Sequence, residues 1–410
     1  MNGGLPPLQP LIDAAPEGSV LVPPPGRYAG PVLISRRLTL DGAGAVTIDG
    51  QGKGTVVTVQ AAGAVVRRLR VTGSGDSHDQ LDTGVSVEAD GVRVEHLTLD
   101  DVLFGVHVKG VNGALVCGNR ISSKPDEPSL RGDGVRVWNG RENRVVGNDV
   151  FEARDVALAN AADNTVEGNR IRHGRIGTQL VFAPRNRLTG NWLDQNLSGI
   201  AVLYSDDVVI RGNRVQSSTG VSGVGLTFKE SSQAVVEDNE LLHCAVGART
   251  NSPTHPLNVV YFRHNLFAHN VAGMDFYGEN GGHVIEANRF EHNLLQVTVS
   301  APMSARGNVW SGNEWDDYQG FDRDQDGVGD QPYEEYWFAD RIWMETPQAT
   351  FFRNAPVFEL LDFLERLAPF ASPELIFRDP APRVGRDGVG PRGPARDWAA
   401  FTPWCPGERR

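Results

Sequence analysis

The chain has 410 residues, with 39 Lys and Arg against 51 Asp and Glu, and this net charge of −12 argues against a nucleic acid partner. Hydrophobic residues make up 40% and Gly fills 47 positions, the composition of a folded, turn-rich chain rather than a disordered one. No apolar stretch is long enough to span a membrane as a helix, and a compact globule of this length would divide into two or three domains, a limit that solenoids escape because each repeat contacts only its neighbours.

Residues 1–25 read as an N-terminal lead-in and cap. The first seven, Met1 to Pro7, lack the basic region and apolar core of a secretory signal, so the protein is either cytosolic or one whose signal has been removed. Residues 8–14 predict a short helix, and Pro23-Pro24-Pro25-Gly26 then turns the chain into its first coil. Apolar strands follow at 32–34, 38–40, 46–48 and 56–59. Residues 73–79 and 122–131 are too polar, or too rich in Pro, for strands and predict protruding loops.

From Asn112 onward a Gly-Asn phrase recurs: Gly118-Asn119, Gly147-Asn148, Gly168-Asn169, Gly190-Asn191, Gly212-Asn213, Asp238-Asn239, His264-Asn265, Ala287-Asn288 and Gly307-Asn308. Successive Asn lie 29, 21, 22, 22, 26, 26, 23 and 20 residues apart, with short alternating runs such as Gly134-Val135-Arg136-Val137-Trp138 between them. A unit of about 22 residues holding two or three short strands cannot bury its own apolar face, so the units must stack. The expected fold is all-β: a right-handed parallel β-helix over 26–313, its coils about 4.8 Å apart. Equivalent Asn amides then fall in register inside the coil, each donating to the next, so the repeat Asn are structural.

Four residues beyond the repeat Asn lie Glu152, His173, Gln195, Ser217, His243, His269 and His292, a column expected to face outward. The late coils also hold Cys244, His255, His264, Met274, His283 and Met303. Imidazole, thioether and thiolate make soft sites suited to Cu(I), which makes His243, His269, His292, Met274, His264 and Met303 copper candidates. Solvated surface His stacked only for packing is the plainer alternative.

Residues 314–352 form an acidic and aromatic closing segment, and 314–362 carry thirteen acids against three Arg. Within it Asp322, Asp324 and Asp326 alternate before Gly327, with Asp330 following, a hard oxygen set around a tight turn that suits Ca²⁺. Tyr333 stands where an EF-hand has its bidentate Glu, which excludes an ordinary EF-hand, and an Asx-turn loop closed by its own hydrogen bonds competes with the calcium reading. Residues 353–375 contain an amphipathic helix at 356–367, with Val357, Leu360, Leu361, Leu364 and Leu367 on one face for packing on the solenoid or docking a partner. Residues 376–410 are an Arg-, Pro- and Gly-rich tail expected to be flexible as far as an anchoring stretch at 398–404. Cys117, Cys244 and Cys405 are too few and too scattered for a disulfide framework, and Cys117 and Cys244 read as small buried apolar residues.

The closing stretch Trp315-Asp316-x-Tyr318-x-Gly320-x-Asp322-x-Asp324-x-Asp326-Gly327-x-Gly329-Asp330-x-Pro332-Tyr333 resembles the end signature of the NosD family. So do Val22-Pro23-Pro24-Pro25-Gly26-x-Tyr28-x-Gly30-Pro31, Leu40-Asp41-Gly42 and Ser74-Gly75-x-x-His78-x-x-x-Asp82-x-Gly84, and the resemblance covers about residues 19 to 340. It implies a periplasmic, non-enzymatic accessory of an ABC transporter, working with the membrane protein NosY and the ATPase NosF. It also implies copper accepted from the lipoprotein NosL for delivery to apo nitrous oxide reductase, NosZ. The alternative is a polysaccharide lyase, epimerase or hydrolase built on the same coils, for which Asp76, His78, Asp79, Asp82 and Asp133 beside Arg131 are the acid-base candidates. Against it, no column of Lys or Arg runs along the coils to hold a polyanion.

Overall fold

The computed structural model describes residues 4–408 except 125–126, 129, 221–222, 252–254, 256–257, 279, 302, 338–373, 386–387 and 393–399. Among these residues, three parallel sheets of 13, 13 and 12 strands run the length of a solenoid, each coil adding one strand to each sheet. A representative coil contributes Arg144–Val146 to the first sheet, Asp149–Phe151 to the second and Asp155–Ala159 to the third. Its strands pair with Thr165–Glu167, Arg170–Arg172 and Ile176–Val181 of the next coil, so equivalent side chains stack. Val145, Val150, Val156 and Leu158 point inward and are buried; each such side chain is worth about 1.5–3 kcal/mol.

The corner between first and second sheets explains the Gly-Asn phrase. Gly147 has φ +60° and Gly168 +61°, the left-handed region where a Cβ is strained, and Asn148 and Asn169 are buried. Each Asn Oδ1 accepts from the main-chain N–H and the Nδ2 of the Asn one coil earlier, at 2.9 Å for both bonds from Asn148 to Asn169. The Nδ2 donates as well to the middle carbonyl of a first-sheet strand, as Asn169 does to Val145 at 2.9 Å. The ladder runs unbroken through Asn119, Asn148, Asn169, Asn191, Asn213, Asn239, Asn265 and Asn288 to Asn313. Its last rung is therefore Gly312-Asn313. Asn308, placed in this column by its Gly307-Asn308 phrase, sits at another corner, where it accepts from His283 N–H at 3.0 Å.

The ends are sealed by different means. At the start, Gln9–Ala14 is helical and buries Ile12, beside Leu8 and Ala15, on the first coil. At the far end the core becomes aromatic: Phe267 stacks on Phe290 at 4.9 Å, Phe290 on Trp315 at 4.2 Å, and Trp315 on Tyr333 at 4.5 Å. Tyr333–Trp337 pairs antiparallel with Glu374–Asp379, and Phe377 from the latter stacks on Trp310 at 4.3 Å, covering the last coil.

The tail departs from the sequence expectation twice. Residues 374–379 are a strand that crosses the boundary expected at 376, and described residues beyond it are bonded to the Gly-Asn corner. Arg383 N–H donates to Asn313 O at 2.8 Å, Gly390 to Ala287 O at 3.0 Å, and Trp404 to Gly147 O at 2.9 Å, so the tail travels back over most of the solenoid. Arg392 Nε adds a bond to Asp238 Oδ1 at 3.0 Å. Cys405 closes the strap by a disulfide to Cys117, which corrects the reading of Cys117 as an ordinary apolar residue. Cys244 remains a free, buried thiol. The amphipathic helix expected at 356–367 lies outside the described residues.

Candidate metal-contact site

The corner between the second and third sheets carries the outward column. Glu152, His173, Gln195, Ser217, His243, His269 and His292 all have φ between +50° and +59°, a tight left-handed turn whose side chain is thrown away from the core. His243, His269 and His292 are exposed. Their rings are 5.0 Å apart and nearly parallel at 8° for His243 and His269, then 5.2 Å and 32° for His269 and His292. His292 Nδ1 lies 3.1 Å from Asp316 Oδ2, so the ladder ends on a carboxylate.

The other copper candidates do not join it. Met274 is fully buried inside the coil, on the opposite side of the chain wall from the imidazoles. His264 belongs to the Gly-Asn corner beneath the tail, where burial, followed by the charge of Arg392, holds its pKa below the usual value. Met303 is exposed on the Met303–Arg306 helix that follows the third sheet's last strand. The six residues are thus one three-membered ladder and three outliers. Inward parity of Met274, which pairs in register with Val297 of the next coil, is the reason spacing alone could not separate them.

In the acidic loop, Asp322, Asp324 and Asp326 each place a carboxylate oxygen within 4.8 Å of the others. Asp330 does not take part: its Oδ2 accepts from Arg323 N–H at 3.0 Å. Asp322 already accepts from Gln325, Asp326 and Gly327 N–H, at 2.7, 3.2 and 2.9 Å. Those amides favour its ionised form, whereas the charge of Asp326 pushes the Asp324 carboxyl above its usual value. Remaining lone pairs on Asp322 together with Asp324 and Asp326 are compatible with Ca²⁺, although the loop also closes without one.

Of the acid-base candidates, Asp76, His78, Asp82 and Asp133 are occupied by structural bonds. Asp76 is exposed and pairs with Lys124 at 2.9 Å, and Asp79 is likewise exposed. His78 contacts Leu130 O through Nε2 at 2.9 Å. Asp82 accepts from Ser77 N–H at 2.9 Å, and Asp133 is buried between Arg154 at 2.9 Å and Arg136 at 3.5 Å. Burial pushes the Asp133 carboxyl up, offset in part by its Arg154 bond.

A second group escaped the sequence reading. His96, Cys405 and Glu408 each set a ligand atom within 4.8 Å of the others, and so do Glu95, Cys117 and Cys405. The available signal was that Cys117 directly precedes the Gly118-Asn119 turn, where a side chain meets whatever lies along that corner.

Together, the registered coils and an outward imidazole ladder define a solenoid that displays side chains in fixed columns along rigid flanks. The family model described as "Periplasmic copper-binding protein (NosD)" matches residues 116–320. A protein of Pseudomonas aeruginosa described as "Probable ABC transporter binding protein NosD" is 30% identical over 400 residues, covering 90% of this chain and 88% of that one. Its namesake from Stutzerimonas stutzeri is 26% identical over 362 residues, covering 84% and 82%. The chain belongs to the NosD family, which is periplasmic. Among solved structures, a periplasmic alginate epimerase, AlgG, has a TM-score of 0.46 at 13% identity, over 73% of this chain and 82% of that one. No helix among the described residues is long and apolar enough to cross a membrane.

Proposed function

We infer that this chain is a non-enzymatic periplasmic accessory of an ABC transporter that holds copper briefly on its flank during maturation of the nitrous oxide reductase copper centre. The observation that carries this reading is the exposed ladder His243, His269 and His292, with ring spacings of 5.0 and 5.2 Å, in a chain of a family described as copper-binding. Neutral imidazole is a good ligand for Cu(I). An open set of one or two exposed imidazoles, with no exposed thiol or thioether beside it among the described residues, holds the ion loosely enough to give it up. NosL is then the donor and NosZ the acceptor, with NosY and NosF the transporter partners. The apolar positions Val357, Leu360, Leu361, Leu364 and Leu367 of the segment 356–367 are proposed as the docking contact with the membrane subunit. The Cys117–Cys405 disulfide supports an oxidising compartment. The same reading gives the Asp322, Asp324 and Asp326 cluster a structural Ca²⁺ that relieves carboxylate repulsion beside the cap.

The test is an anaerobic Cu(I) titration against a competing chelator, on the wild type and on a variant combining His243→Ala, His269→Ala and His292→Ala. Binding that is lost in the variant supports the ladder as the contact site; equal binding by both sinks it. Deletion of residues 356–370 is expected to abolish co-purification with the membrane subunit while leaving the β-sheet circular dichroism signal intact.

A further inference from the structure

The disulfide that fastens the tail joins two overlapping clusters of metal-ligating side chains: Cys117 and Cys405 lie with the buried Glu95, and Cys405 also lies with His96 and Glu408 on the solvent side. Cys117 is fully buried and Cys405 is 5% exposed, whereas His96 is half-buried and Glu408 exposed, so the cluster is closed behind its sulfurs and opens to solvent at the imidazole. His96 Nε2 is 2.7 Å from Glu408 Oε1. Several contacts independent of the S–S bond hold these groups together. Trp404 N–H binds Gly147 O at 2.9 Å, the Trp404 side chain lies against Gly147 and Gly168, and Cys405 N–H binds Glu408 Oε2 at 2.7 Å. The two sulfurs, the imidazole and the carboxylate thus have reasons to stay near one another when the S–S bond is absent.

We propose that Cys117, Cys405 and His96 form a redox-gated site for a soft cation, Cu(I) or Zn(II), blocked while the disulfide is intact and opened by an external dithiol reductant. In the opening step the dithiol loses two electrons and two protons and becomes a disulfide, while the Cys117–Cys405 bond takes up both pairs and becomes two thiols. The metal then binds both sulfurs as thiolates, with His96 as third ligand, and two thiol protons go to solvent. Glu408 is the positioning carboxylate that orients the imidazole. This site is separate from the exposed imidazole ladder, at a different corner of the coil, and stands or falls independently of it.

The experiment uses the full chain carrying His243→Ala, His269→Ala and His292→Ala, oxidised or reduced, with the reductant removed anaerobically before titration with Zn(II) or Cu(I) against a chromophoric chelator. The reduced protein is expected to bind one equivalent more than the oxidised protein, with a thiolate-to-metal charge-transfer band. Cys117→Ser and Cys405→Ser each abolish that equivalent, Cys244→Ser leaves it, and Glu408→Ala weakens it by about 10–100-fold. Equal stoichiometry in the oxidised and reduced chains overturns the proposal, as does loss of the extra equivalent in Cys244→Ser. So does a tail that comes free on reduction, detected as rapid proteolysis beyond residue 380 with the coil circular dichroism unchanged, because the ligands would then part.

Discussion

Asp379 terminates the buried ladder by standing in for the Asn that a further coil would supply: its Oδ2 accepts from Asn313 N–H at 3.0 Å and from Asn313 Nδ2 at 2.8 Å. The same carboxylate lies 3.3 Å from Trp315 Nε1, and its other oxygen takes Ala381 N–H at 3.1 Å. One residue of the closing strand therefore satisfies the donors that stacking leaves over and fixes the cap on the aromatic end of the core.

Removing this stop leaves buried donors without acceptors, at about 1–3 kcal/mol. Asp379→Ala is expected to lower the thermal midpoint and to expose the C-terminal coils first, read by hydrogen exchange at Asn313 and Trp315. Asp379→Asn, which keeps an acceptor, should fall between. An unchanged midpoint in the alanine variant would mean that the aromatic stack alone holds the cap.

Within the ladder, Asn169→Leu takes the acceptor from Asn148 N–H and Nδ2 and the donor from Val145 O. The expected loss is about 1–3 kcal/mol, measured by denaturant unfolding. A neutral result would show that neighbouring coils shift to re-pair these groups.

The solenoid was legible because its repeat writes one physical constraint again and again: Asn where an amide must bridge two coils, and Gly before it where the backbone turns left-handed. The outward imidazole ladder was legible for the same reason, since its left-handed turn recurs at a fixed offset from each Asn. Met274 was not separable from that ladder, because one sheet presents alternate residues to opposite faces and the offset between corners varies. Nor was the strap legible. Cys117 and Cys405 are 288 residues apart, and nothing in the local composition of a Pro-, Gly- and Arg-rich tail tells which corner it will follow.

The strap gives a glycine comparison. At Gly147 an added Cβ would lie 2.2 Å from Trp404 O, and at Gly168 2.8 Å from the Trp404 ring, whereas at Gly212 it meets nothing within 4 Å. All three have φ near +60°, so Gly212→Ala measures the backbone strain alone, about 1–2 kcal/mol. Gly147→Ala is expected to cost more than Gly212→Ala and to free the tail to protease. Equal costs with a protected tail would place the Trp404 contact outside the strap's energetics.

If Asp322, Asp324 and Asp326 hold Ca²⁺, a chelator is expected to lower the thermal midpoint and added Ca²⁺ to restore it, with Asp324→Asn abolishing the response. Binding to the folded state alone stabilises by RT ln(1 + [L]/Kd), about 2.7 kcal/mol at a hundredfold excess over Kd. Indifference to chelator would leave the loop closed by the Asp322 amide bonds alone.

Acid should weaken the fold before the carboxylates titrate, through two buried imidazoles. His283 accepts Val260 N–H at Nδ1, 3.1 Å away, and its Nε2 is 2.8 Å from Asn251 O, an arrangement that requires the neutral ring. Burial pushes its pKa down to about 4. His107 is likewise lowered to about 4, by burial first and then by the charges of Arg136 and Lys109. In the unfolded chain both titrate near 6.5. Their contribution is complete above about pH 6.5 and is lost as pH falls toward 4, because the unfolded state takes up protons that the folded state refuses. The slope is at most about 1.4 kcal/mol per pH unit for each ring. Urea midpoints measured from pH 7.5 to 5 should therefore decline in the wild type and flatten when His283→Gln and His107→Gln are combined. A parallel decline in both proteins would assign the acid sensitivity to other groups.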